Sequence, residues 1–193
     1  VLTYEDVINK LSSPNLSAKK RFLCCIHYAG ALRVSESRKF NLAELKKRNP
    51  NIKSLIEFET PDAIFLNFPN SKNRKRNIKV LPILKKELWL YKPIMYFLNE
   101  ISSEGISIPD RTARSIIKDV FGVPSHQLRH SRLTHLITLF KFDCLSKKFC
   151  DYAGWSNNAP SSVYIVFSQK EISQSIADDM VKNFNNNEVK PNV

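Results

Sequence analysis

The sequence predicts a mainly α-helical fold with one small antiparallel β-sheet (α+β). Three observations carry this expectation. Apolar residues recur at helical spacing before Gly30 and again after Leu84. The stretch between Ser54 and Pro82 changes to short strand-like runs, and only four glycines interrupt 193 residues. One domain with its own core is expected from that length.

The elements follow in order. The first helix starts at Thr3, with Asp6 completing a capping box, and ends near Leu11. Ser17 reads as the next N-cap. Phe22, Leu23, Ile26 and Ala29 then lead to Gly30, expected at the left-handed position past the helix end. A short helix follows Ser35. Ser54 to Glu59, Ala63 to Pro69 and Asn77 to Pro82 read as three strands, the last two joined by the polar loop from Asn70 to Arg76. Beyond Leu84 the pattern is helical. Pro93 is expected to divide the segment from Ile83 to Ile101, and Asp110 to cap a helix ending at Gly122. Further helices are expected from Ser125 to about Phe140, Asp143 to Ala153, Asn158 to Phe167 and Lys170 to Phe184, before a flexible polar tail over 185–193.

The 30 Lys and Arg against 18 Asp and Glu give a net charge of +12, while 42% hydrophobic residues and 12 Phe argue against disorder. That balance favours a polyanionic partner, nucleic acid before an anionic membrane. No stretch approaches the ~18 apolar residues of a spanning helix, and the start lacks the basic and apolar regions of a signal peptide. An intracellular location, in cytoplasm or nucleoid rather than secreted, is expected. Val at position 1 points to a piece of a longer chain. Cys24, Cys25, Cys144 and Cys150 form no C-x-x-C pair. A zinc site from Cys24, His27, Cys144 and Cys150 is conceivable, but reduced buried thiols are the commoner outcome.

Four constellations carry chemistry. In Ser125-His126-Gln127-Leu128-Arg129-His130, His126 and Arg129 lie three apart at a helix start and share a face. The N–H groups of that helix end, with an imidazole and a guanidinium, suit a phosphate. For an isolated H-x-x-R, a capped helix with a solvated arginine is the commoner reading. Ala31-Leu32-Arg33-Val34-Ser35-Glu36 puts an arginine between apolar neighbours at a helix corner, where Glu36 can orient the guanidinium; a purely structural pair is equally expected. Lys72 opens a loop that also holds Arg74, Lys75 and Arg76. Most lysines in such runs are solvated, yet one on a loop tip can donate a proton in a site. Gly154-Trp155 precedes Tyr164 by nine residues from Trp155. A tyrosine between Val and Ile is usually core, but a phenol is a competent nucleophile toward phosphorus.

Taken together and in order, these motifs resemble the catalytic domain of the tyrosine recombinases, the lambda-integrase and Xer-like family. Residues 31–36 are similar to its G-L-R-I-S-E, with Ala31 where Gly is usual. Residues 126–131, with Thr134-His135-Leu136 trailing, resemble its H-x-L-R-H-S/T. Gly154-Trp155-Ser156 through Tyr164 resembles its G-H-S…Y, Trp155 replacing the commoner His, and Lys72 precedes Val80-Leu81-Pro82 as the family's lysine precedes its V-P-L strand. The resemblance spans Thr3 to about Phe184.

The resemblance implies the tyrosine recombinase catalytic-domain fold and cofactor-free, metal-free cleavage and rejoining of double-stranded DNA. Tyr164 would form a 3′-phosphotyrosyl bond, Arg33 and Arg129 would hold the phosphate, and Lys72 (or Lys75) would protonate the leaving 5′ oxygen. His126 would assist proton transfer, and Trp155 would pack or hydrogen-bond to the phosphate. Glu36 and His130 would support the site, and Arg74, Lys75 and Arg76 would grip the DNA backbone. It implies a homotetramer on DNA, and an N-terminal DNA-binding domain ahead of this chain. The stripe Ile172, Ile176, Met180 and Phe184 would dock on a neighbouring protomer rather than on its own domain. The competing readings are a type IB topoisomerase and a catalytically degenerate DNA-binding module.

Overall fold

A computed structural model describes residues 1–71 and 78–157, with positions 160, 177, 180 and 181. Its centre is a helix buried on all sides. After α1 (Tyr4–Leu11), α2 (Ala18–Ala29) buries every residue from Phe22 to Ala29. A helix apolar all round needs neighbours on every face, and α2 packs against α1, α3 (Val34–Ser37), α5 (Leu88–Tyr96), α6 (Asp110–Phe121) and α7 (Ser125–Thr138). Phe22 stacks on Phe97 at 4.1 Å between ring centroids. The Thr3–Asp6 capping box at the start of α1 is formed as expected.

After α4 (Leu42–Arg48), β1 (Ile56–Glu59), β2 (Ala63–Pro69) and β3 (Ile78–Leu84) form an antiparallel meander in the order β1-β2-β3. The β2–β3 register runs from Ala63 opposite Leu84 to Pro69 opposite Ile78, so the connecting loop leaves the sheet beside the α2–α3 corner. Lys72, Arg74, Lys75 and Arg76 lie outside the described residues. On β3, Lys79, Leu81 and Ile83 are buried at every second position, which aims a lysine into the protein.

The helical half departs from expectation at three places. Pro93 does not divide its segment: α5 runs through it and continues as a π-helical turn, Phe97–Ile101. Leu90, Ile94, Phe97 and Leu98 are all buried, and their packing outweighs the backbone bond that proline cannot make. Asp110 is the first residue of α6, not its cap, because Pro109 takes the flanking position. The final described helix, α8 (Lys147–Ala153), begins later than Asp143, at the point where the Ser146 hydroxyl accepts from the Phe149 N–H. The expected helices from Asn158 and Lys170 lie largely outside the described residues; Met180 is exposed.

A polar knot sits behind α7. Arg132 is buried against Glu87, with Nη1 3.3 Å from Oε1, and its Nε donates to the Tyr152 hydroxyl at 3.2 Å. Tyr4 donates to the same Glu87 oxygen at 2.8 Å. The guanidinium also lies over the rings of Tyr28 and Phe140, 5.0 and 5.2 Å from their centroids. Removing one partner of a buried pair leaves the other charge unsatisfied, at a cost of about 3–5 kcal/mol. Arg132→Met should therefore lower unfolding free energy by that amount in urea titrations, and adding Glu87→Leu should recover most of it.

Candidate active site

The corner between α2 and α3 is built by space and by backbone angle. Gly30, expected at the left-handed position, has right-handed angles (φ −83°). The left-handed residue is Ala31, at φ +45°. Gly30 is needed for room instead, since a Cβ there would come within 2.9 Å of the Leu32 and Phe68 side chains. The turn delivers Arg33 to the start of α3. Glu36, 2% exposed, accepts from the Arg33 N–H at 2.8 Å and faces the guanidinium at 3.3 Å. The same carboxylate accepts from the Ser71 N–H at 2.9 Å, which ties the base of the β2–β3 loop to this corner. Burial acts to raise the Glu36 pKa, but Lys79, the two N–H groups and Arg33 together hold it below the usual carboxylate range.

The first turn of α7 is anchored from below. His27 is fully buried; its Nε2 lies 3.0 Å from the Ser125 carbonyl and its Nδ1 2.9 Å from the Ser37 hydroxyl. This one imidazole joins α2, α3 and α7. Burial pushes its pKa down to about 4, with the Arg129 charge contributing in the same direction. His126 is exposed on the first turn. His130, one turn on, is partly buried, and its pKa is lowered by burial and by His126. Arg129 reaches across: Nη1 donates to the Ala31 carbonyl, and Nη2 to the Ala153 carbonyl at 2.8 Å.

The C-terminus of α8 completes the arrangement. Gly154 takes φ +71°, where a Cβ would meet Asn70 Oδ1 at 2.9 Å. Trp155 follows, its backbone N–H donating to the Cys150 carbonyl and its ring edge-on to Phe149 at 5.7 Å. Lys79 comes in from β3, donating to the Gly30 and Tyr152 carbonyls, each at 2.7 Å. The Tyr152 hydroxyl donates to the Ala29 carbonyl. Consecutive carbonyls 29, 30 and 31 are thus satisfied by Tyr152, Lys79 and Arg129.

No protein-family model and no curated protein sequence matches the chain. Solved structures do. The XerH site-specific recombinase bound to palindromic difH substrate, a post-cleavage complex, matches at TM-score 0.58 and 15% identity, over 91% of this chain and 52% of that one. XerH in a pre-cleavage complex with difH substrate matches at 0.56 and 14%, over 91% and 53%. The XerA recombinase matches at 0.58 and 14%, over 85% and 58%. The fold is that of a tyrosine recombinase catalytic domain. The chain spans about half the length of these solved recombinases.

Within this recombinase fold, Arg33, Glu36, Arg129 and Trp155 are gathered around the α2–α8 junction, and His126 and His130 lie on the same helix as Arg129. Tyr164 lies outside the described residues, as do the four basic loop residues. Four members of this region, Lys79, Tyr152, Asn70 and His27, lie outside the four motifs. Lys79 is the most telling, because alternation with Leu81 and Ile83 already aims it inward. Tyr152 and Asn70 belong to no recognisable spacing, and in the sequence His27 is a candidate only for a zinc site. Both its nitrogens are engaged by Ser37 and Ser125. Cys24, Cys25, Cys144 and Cys150 are buried and not disulfide-bonded, and no cluster suited to a metal occurs among the described residues. Among those residues, no helix is long and apolar enough to cross a membrane.

His27 makes stability depend on pH in a defined direction. Its ring takes a proton near pH 6.5 when unfolded but only near 4 when folded. Between those values the unfolded chain binds more protons, so stability falls as pH drops from about 6.5 toward 4. Urea titrations across that range should show this slope, and His27→Gln should flatten it.

Proposed function

We propose that this chain is the catalytic domain of a site-specific DNA recombinase that cuts and rejoins strands through a 3′-phosphotyrosyl intermediate. The observation that carries this reading is the pair of hydrogen bonds that Arg129 donates to the Ala31 and Ala153 carbonyls. Arg33 stands two residues beyond one carbonyl and Trp155 two beyond the other, so one guanidinium draws three motif residues into a single region. In the proposed reaction Arg33 and Arg129 bind the non-bridging oxygens of the scissile phosphate and stabilise the charge that builds up in the transition state. The Tyr164 oxygen bonds to phosphorus as the bond to the 5′ oxygen breaks. Lys72, or Lys75 in the same loop, supplies the proton to that departing oxygen. His126 takes part in proton transfer, while the Trp155 indole N–H, which can donate but not shuttle, holds the phosphate. The phosphotyrosyl bond conserves the phosphodiester energy, so a 5′-hydroxyl from another strand reverses the step without a cofactor.

Double-stranded DNA is the partner in this reading. Arg74, Lys75 and Arg76 contact its backbone, and four protomers assemble on it through the C-terminal helix. An exposed Met180 supports that docking. The Ser71–Glu36 bond supports delivery of the adjoining lysine to the Arg33 corner.

The test is a nicked suicide DNA substrate resolved by denaturing electrophoresis. The wild-type chain should form a covalent adduct that Tyr164→Phe abolishes. Arg33→Ala and Arg129→Ala should each slow adduct formation about 10²–10³-fold. Relaxation of supercoiled DNA with religation only to the original strand would favour topoisomerase chemistry. DNA binding with no adduct would favour the degenerate module.

A further inference from the structure

The reaction proposed above uses a loop lysine, yet the lysine that is buried among the described residues is Lys79. It projects from the buried side of β3, 8% exposed, where an ammonium is unfavourable unless polar groups replace water. Its Nζ lies 2.7 Å from the Gly30 carbonyl, at the C-terminus of α2, and 2.7 Å from the Tyr152 carbonyl, at the C-terminus of α8. Helix C-termini carry partial negative charge, and two brought face to face repel unless a cation lies between them. The Gly30 side leads directly to Ala31 and Arg33, and the Tyr152 side to Gly154 and Trp155. The ring of Tyr152 also faces the ammonium, 5.9 Å from its centroid.

We propose that Lys79 is a positioning residue whose ammonium draws the α2 and α8 C-termini together and aligns the Arg33 corner with the Trp155 segment. It touches neither the phosphate nor the reacting oxygens. Its own neighbours make the alignment sensitive to a proton. Arg33 and Glu36 face it from α3, Arg129 from α7 and the Tyr152 phenol from α8, while Lys148 and Asp151 line the adjoining groove of about 370 Å³. Burial, with Arg129 and Arg33 adding to it and Glu36 opposing, pushes its pKa down to about 7. Loss of that proton leaves an amine that still hydrogen-bonds but no longer neutralises two helix ends. A phosphate between Arg33 and Arg129 restores the ammonium, so substrate binding and alignment reinforce each other.

This inference rests on the recombinase reading for its catalytic consequence, but its structural core is testable without it. In a Trp89→Phe background, Trp155 is the remaining tryptophan. Its fluorescence should show an inflection near pH 7 that disappears in Lys79→Arg, which stays charged, and in Lys79→Met. Absence of the inflection in the Trp89→Phe protein overturns the proposal. So does its persistence in Lys79→Arg, which would trace it to another group. On the suicide substrate, Lys79→Met should slow adduct formation about tenfold and lose its pH response near neutrality, with DNA affinity within about threefold of wild type; Lys79→Arg should retain most of the rate. An unchanged rate and pH profile in Lys79→Met overturns the positioning role. If the wild-type chain forms no adduct, the recombinase reading fails while the fluorescence result still decides whether Lys79 sets the junction.

Discussion

The structure depends on how two helix C-termini are allowed to meet. The ends of α2 and α8 approach one another through their last carbonyls, which carry partial negative charge and lack partners within their own helices. Three side chains from three different elements resolve this. The Tyr152 hydroxyl takes Ala29, the Lys79 ammonium bridges Gly30 and Tyr152, and the Arg129 guanidinium bridges Ala31 and Ala153. Two positive charges between two negative helix ends turn a repulsive contact into a junction. Because Arg33 and Trp155 each begin two residues beyond a bridged carbonyl, the capping of helices and the assembly of the candidate site are one event.

That junction is held from behind by a second set of charges. Arg132 lies three residues after Arg129 on α7, but points into the core against Glu87 and the Tyr152 hydroxyl. One helix thus presents Arg129 toward the corner and Arg132 toward the core, with His27 fixing its first turn through the Ser125 carbonyl. Glu36 performs the matching task on α3, engaging Arg33 and the Ser71 N–H with one carboxylate. Glu36 and the helix-end carbonyls offset part of the charge of Arg33, Lys79 and Arg129, and the repulsion that remains from the two arginines is felt at Lys79.

Much of the framework was legible because local signals agreed with tertiary packing. The Thr3–Asp6 box, the β2 strand from Ala63 to Pro69 and the start of α7 at Ser125 follow from capping chemistry and period. Misreadings arose where packing opposed local preference. Pro93 lacks a donor, yet buried Leu90, Ile94 and Phe97 carry α5 through it. Gly30 offers left-handed freedom, yet it is the Leu32 and Phe68 side chains that require glycine there, and Ala31 bears the positive φ. The resemblance to tyrosine recombinases rested on short motifs spread over the chain, and the fold agrees with it at only 14–15% identity.

By itself the sequence determined the helical and strand periods, the excess of positive charge, and the order and spacing of Arg33, His126, Arg129, Trp155 and Tyr164. These are properties of neighbours along a chain, set by side-chain chemistry and backbone geometry over a few residues. Only the tertiary structure decided which arginine lies in the core and which spans the corner, since Arg129 and Arg132 share one helix and one chemistry. It also turned Lys79, an unremarked residue of a strand, into a bridge between helices 49 and 73 residues away. The cost of burying a charge depends on what surrounds it, and those surroundings exist only once the distant carbonyls have been brought together.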